Sequence, residues 1–128
     1  MASGTIKKYA DGTDSGWLEW NGTAQTSDPF VGTIRYRKIG SIVQICFTSL
    51  TLKQATSDNN IDLGTMPSGW SRPAYAATIP TRIYQSGDGN PISACNIGAN
   101  GSLRIYKAVS MSTVTTNAQI HGSGVYFV

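Results

Sequence analysis

Chemistry in a polypeptide needs reactive side chains at a workable spacing, and this sequence supplies few of them. His121 is the sole histidine among 128 residues, set between Ile120 and Gly122. No second histidine and no cysteine pair at metal-ligand spacing joins it, so it reads as a structural or surface residue. No Gly-x-Ser-x-Gly turn marks a serine nucleophile. The seven acids (Asp11, Asp14, Glu19, Asp28, Asp58, Asp62 and Asp88) fall mostly in turn-forming surroundings, and nothing in their order marks the carboxylate pair of a glycosidase. Gly87-Asp88-Gly89-Asn90 looks superficially like a calcium loop but lacks the spaced oxygen ligands and the closing glutamate. The reading is a chain without enzymatic activity, metal or cofactor.

The aromatic residues carry more information. Trp17, Trp20 and Trp70, with Tyr75 and Tyr84 near loops, offer flat apolar faces on which sugar rings stack, while Asn, Asp and Ser side chains can hydrogen-bond the hydroxyls. The competing use of each tryptophan is core packing, since a small β domain has few other large side chains to fill it.

The totals narrow the classes. A chain this long fits one domain with a core of its own. Charged residues make up 13%, about half the usual share; Ser, Thr, Asn and Gly replace them, a surface suited to neutral polar ligands. The ten Lys and Arg that give a net charge of +3 are scattered as singles and pairs. Even Arg35-Tyr36-Arg37-Lys38 is a strand segment whose neighbours point to opposite faces, so the sequence gives no phosphate-tracking surface and no nucleic-acid partner is expected. No apolar run approaches the 18 or so residues of a membrane helix, and no signal-peptide pattern opens the chain. Cys46 and Cys95 lie in apolar strand-like runs and read as buried free thiols.

The elements that would position these residues are strands. Residues 1–15 are polar and read as a linker or N-terminal arm, with a head domain over 16–128. Gly16 to Trp20 is a short strand closed by an Asn21-Gly22 turn, and Thr23 to Pro29 is loop. Gly32 to Ile39 and Ile42 to Leu52 alternate apolar and polar residues and join through Gly40-Ser41 as a tight hairpin. Ile61 to Leu63 leads into Asp62-Leu63-Gly64-Thr65-Met66-Pro67-Ser68-Gly69-Trp70-Ser71-Arg72-Pro73, whose glycines and prolines forbid helix and uninterrupted strand alike. Tyr75 to Ile79 ends at Pro80, with Thr81 to Tyr84 continuing as an edge-type segment. Ile92 to Ile97 and Ser102 to Lys107 form a second hairpin across Ala99-Asn100-Gly101. Ala108 to Asn117 is a strand or extended connection, and Gln119 to Val128 a closing strand buried in the sheet. The expected fold is all-β: an antiparallel, jelly-roll-like β-sandwich of about nine or ten short strands.

Three segments in order resemble a known group of proteins: Tyr36-Arg37-Lys38-Ile39-Gly40-Ser41-Ile42-Val43; Leu63-Gly64-Thr65-Met66-Pro67-Ser68-Gly69-Trp70-Ser71-Arg72-Pro73; and Ile97-Gly98-Ala99-Asn100-Gly101-Ser102-Leu103-Arg104-Ile105-Tyr106. They are similar to the C-terminal head domains of tail-fibre, baseplate and receptor-binding proteins of phages and prophages of Gram-positive bacteria, over about Gly16 to Val128. Met66 stands where that pattern usually has Leu, a swap that conserves volume. Ser71 lengthens the usual aromatic-Arg-Pro spacing by one.

The resemblance implies a β-sandwich head at the tip of a phage tail, part of a longer tail protein and assembled as a homotrimer. Such a head is made in the bacterial cytoplasm, carried on the virion tail, and attaches without catalysis to cell-wall or capsular saccharide of the host. Because sites in such heads vary in position, the candidate saccharide-binding residues, Trp17, Trp20, Tyr84, Asp88 and Asn90, are chosen here because they flank loops. The alternatives are a structural trimerisation or tail-tip cap that binds nothing, and a polysaccharide hydrolase.

Overall fold

A computed structural model describes residues 14–22 and 30–128; the expected arm before Asp14 and the Thr23 to Pro29 loop lie outside them. Eight strands follow one another: β1 (Leu18–Gly22), β2 (Phe30–Ile39), β3 (Ile42–Leu52), β4 (Asn60–Thr65), β5 (Ala77–Tyr84), β6 (Ile92–Ile97), β7 (Ser102–Tyr106) and β8 (Gln119–Phe127). All pairings are antiparallel, in one sheet of order β1-β2-β3-β8-β5-β6-β7-β4. The strands alternate buried and exposed residues, and the buried ones form a single cluster. Phe30 on β2 and Ile61 on β4 belong to opposite ends of the strand order yet share that cluster, so the sheet must curl over on itself into two facing layers. The expected all-β sandwich is the fold observed.

Eight strands rather than nine or ten result from two differences. Residues 108–117 form neither the expected strand nor an extended connection but an irregular one, with turns closed by Met111 N–H to the Ala108 carbonyl and Ala118 N–H to the Thr115 carbonyl, held by the Thr56↔Val114 bridge. The two segments expected on either side of Pro80 are one strand, β5, and it lies in the interior of the sheet rather than at an edge. Proline is tolerated because the ladder to β8 stops at Thr81↔Gly122, one residue short of it, while the ladder to β6 runs through Pro80↔Ala94.

The Asn21-Gly22 pair, expected as a turn, continues β1 and pairs with Thr33 and Gly32. Glycine is needed at 22 for room: a Cβ there would sit 2.2 Å from the Phe30 carbonyl oxygen. On β3, Ser49 at φ 56 is an extra residue against both β2 and β8, and this bulge turns Leu50 inward beside Phe47.

Both expected hairpins form, through Gly40 at φ 60 and Gly101 at φ 87. Val128 donates its N–H to the Ser41 carbonyl at 3.0 Å, tying the last residue to the sheet. The closing strand is less buried than expected, because Val125 and Phe127 face outward and are exposed. Cys95 is buried and its thiol is pushed up to about 12 by desolvation, whereas Cys46 is only half-buried; both are free.

The β4–β5 connection crosses between the layers. Met66 donates its N–H to the Gly101 carbonyl at 2.9 Å on the β6–β7 turn. Ser71 is then gripped on both sides of its peptide, its N–H donating to Tyr36 Oη at 2.8 Å and its carbonyl accepting from Tyr126 Oη at 2.5 Å. Burial, helped by the neighbouring Tyr36, raises the Tyr126 phenol above its ordinary range, so it remains a donor.

Candidate functional site

The middle of the sheet presents a concave outer face. On β5, Pro80, Arg82 and Tyr84 alternate outward against buried Ile79, Thr81 and Ile83; on β8, His121 and Ser123 do the same. Register places Arg82 opposite His121 on one side and opposite Ile92 on the other. With Thr48 from β3, these side chains line a groove of about 400 Å³. Its walls are mainly apolar, from Pro80 and the exposed Ile92, and its polar groups are the Arg82 guanidinium, the His121 imidazole and the hydroxyls of Thr48, Ser123 and the more buried Thr81. Among the described residues no carboxylate lines it. Such a surface can hold a ligand with one apolar face and several hydroxyls or an anionic group. Among the described residues no cluster of His, Cys, Asp or Glu could hold a metal ion, and no helix is long and apolar enough to cross a membrane.

Tyr84, a sequence candidate, stands beside this groove: its ring meets His121 edge-on, centroids 4.7 Å apart at 76°. Asp88 and Asn90 lie on the following loop, residues 85–91, which leads into Ile92. Gln85 organises that loop. Its amide nitrogen donates to Asp88 Oδ2 at 2.6 Å and to the Thr113 carbonyl at 2.9 Å, while its oxygen accepts from the Thr115 N–H at 2.8 Å. Asp88 thus has one oxygen engaged, and Asn90 is exposed at φ 53.

Trp17 and Trp20 are elsewhere, at the β1 end of the sheet, with β2, β3 and β8 between them and β5. Trp17 is 46% exposed, with the Arg37 guanidinium 5.8 Å from its ring centroid. Arg37 in turn donates to both Asp14 oxygens, at 3.1 and 2.7 Å. That pairing, with the Gly16 N–H, lowers the Asp14 carboxyl from 3.8 to about 2. Trp20 packs inward, edge-on to Phe30 at 5.1 Å and to Trp70 at 6.4 Å. The five candidates therefore form two groups, and the groove joins Tyr84 to residues that sequence reasoning passed over. Arg82 was findable, two residues before Tyr84 on the same strand face. His121 was not, because the register that sets it against Arg82 spans 39 residues of chain.

The eight-stranded, antiparallel, curled sheet is the fold of a solved phage receptor-binding head domain. One solved structure it matches is the head domain of phage bIL170, described among the receptor-binding domains of lactococcal phages, with a TM-score of 0.64 over 88% of this chain and 96% of that one. Sequence identity is 15%, so the likeness is one of fold. No protein-family model and no curated protein matches the sequence.

Proposed function

We propose that this chain is a non-catalytic receptor-binding head, carried on a phage or prophage tail as part of a longer protein and attaching it to cell-wall or capsular saccharide of a Gram-positive host. The observation that carries this reading is the fold shared with the bIL170 head over nearly the whole length of both chains. The groove supports it. Pro80, Ile92 and the flank of Tyr84 supply the apolar surface a sugar ring packs on, while Arg82, His121, Thr48 and Ser123 supply hydrogen bonds in several directions. Asp88 and Asn90 extend the polar rim, and Trp17 offers a second stacking surface near β1. In the homotrimer that the resemblance implies, weak sites engaged together hold far more tightly than one.

The test is pull-down of the protein on purified host cell wall and a glycan array, repeated with Arg82→Ala and Tyr84→Ala. Loss of capture by at least about tenfold in either variant, with an unchanged melting temperature, is the expected result. Undiminished capture by both would move the site out of the groove, and wild-type protein that captures no envelope fraction would sink the reading.

A further inference from the structure

We infer that the outer surface around Phe127 is where copies of this chain meet. Outward-facing Val125 and Phe127 on β8, Ile42 paired with Phe127 across β3, and Tyr75 on the loop before β5 are 54%, 68%, 45% and 86% exposed. Val128 continues the patch, and a groove floored by Pro73 and Ala77 runs along it. Together these side chains leave on the order of 500 Å² open to water, as large as the biggest patch on an ordinary monomer and over half of the roughly 800 Å² that one partner buries in a stable interface. Nothing within the described residues covers it. Folding does not demand it either, since these residues face away from the core.

Two observations select a second copy as the occupant. No side chain in the patch is charged. Around a threefold axis equivalent residues meet, so a patch there without charged side chains sets no like charges against one another, and the net charge of +3 stays outside the contact. The patch also lies where the polypeptide is anchored. Asp14 bridges to Ile39 and Val128 bonds to Ser41, both at the β2–β3 turn that Ile42 follows. Asp14 and Val128 both sit beside the patch, so copies that meet there bring these two anchoring points together. The inference rests on the proposed homotrimeric head for the partner's identity and adds the surface of contact.

The experiment is sedimentation velocity of the full chain across the micromolar range, for wild type, Phe127→Asp, Val125→Lys and Tyr75→Asp. The wild type is expected at a multiple of 13.6 kDa. Each variant should weaken association at least about tenfold while the dissociated protein keeps the circular dichroism of a folded β domain, because none of the three side chains is in the core. Tyr75, on a loop, serves if a strand variant misfolds. Arg82→Ala, in the groove, should assemble as wild type does. A wild type at 13.6 kDa throughout, or folded variants that assemble undiminished, would overturn the inference. A head that assembles through the patch yet captures no saccharide fails the functional reading alone; a monomer that captures saccharide fails this one alone.

Discussion

Trp70 lies flat on Tyr36, their ring centroids 4.6 Å apart and their planes 22° from parallel. Tyr36 belongs to β2 and Trp70 to the β4–β5 connection, so the stack joins the second strand of the sheet to the loop leaving the eighth. Trp20 closes the other side of Trp70 edge-on. An aromatic that first reads as a stacking surface for sugar is 7% exposed and serves as a plug.

Trp70→Ala should therefore cost about 3–5 kcal/mol, from lost burial and the cavity left beside Tyr36. Chemical denaturation would measure it. At a temperature where the variant remains folded, capture per head should match wild type; a stable variant that had lost only affinity would reassign Trp70 to the site.

The other two tryptophans should separate cleanly. Trp20→Ala removes contacts with Phe30 and Trp70 and should destabilise by upward of about 2 kcal/mol, whereas exposed Trp17→Ala should stay within about 0.5 kcal/mol. Thermal melts of the pair check this, and reduced saccharide capture by Trp17→Ala at wild-type stability would make β1 a second contact region.

Gly124→Ala tests the close approach of β8 to β5. An added Cβ would stand 2.6 Å from Ile79 Cγ2 and 2.8 Å from its Cβ, so the strands must part at a cost of about 1–3 kcal/mol. In a double-mutant cycle with Ile79→Ala the two penalties should sum to more than the combined loss, because Ile79→Ala removes the Cγ2 that clashes. Strict additivity would mean the strain is relieved elsewhere.

Acid should loosen the N-terminal attachment. The Asp14 carboxyl is held at about 2 against its ordinary 3.8, so the unfolded chain takes up the proton first and protonation favours release. The stabilisation is complete above about pH 4 and disappears as the pH falls toward 2. Asp14→Asn should flatten the acid limb of a stability–pH curve in that window and lower stability at neutral pH by the same amount, a modest one because solvent reaches and screens the pair.

Thiol labelling should distinguish the cysteines. Cys46, half-buried on the outer face of β3, should react with iodoacetamide in the native protein; Cys95, buried and with its thiol pushed up to about 12, should react only on unfolding. Mass spectrometry showing both modified at equal rates would contradict the packing around β6.

What the sequence made legible was local. The Gly40-Ser41 hairpin and the turn at Gly101 follow from residues a few positions apart, and each forms as expected. Asn21-Gly22 carries the same turn signature and is strand instead, because pairing with β2 and the nearness of Phe30 outweigh it. Pro80 reads as a strand end, and only knowing that the β8 ladder stops short of it explains how an interior strand keeps it. Of the site, Tyr84 was visible as an aromatic near a loop. The groove itself was not, since it is made by β8 lying between β3 and β5, an arrangement of distant segments that no window of sequence contains.

The anchoring of Asp14 at Ile39 and Val128 at Ser41 fixes a direction as well as an attachment. β3 leaves that end, β8 returns to it, and β5 leaves it again, so Tyr84 and the 85–91 loop lie at the opposite tip, beyond a strand of eight residues or roughly 25 Å. A head immobilised through Asp14 would hold Tyr84 and the 85–91 loop outermost, with the groove on the flank just behind them. A bulky fusion at the Asp14 end would leave the groove free, while the same bulk inserted between Gly87 and Gly89 would shade it.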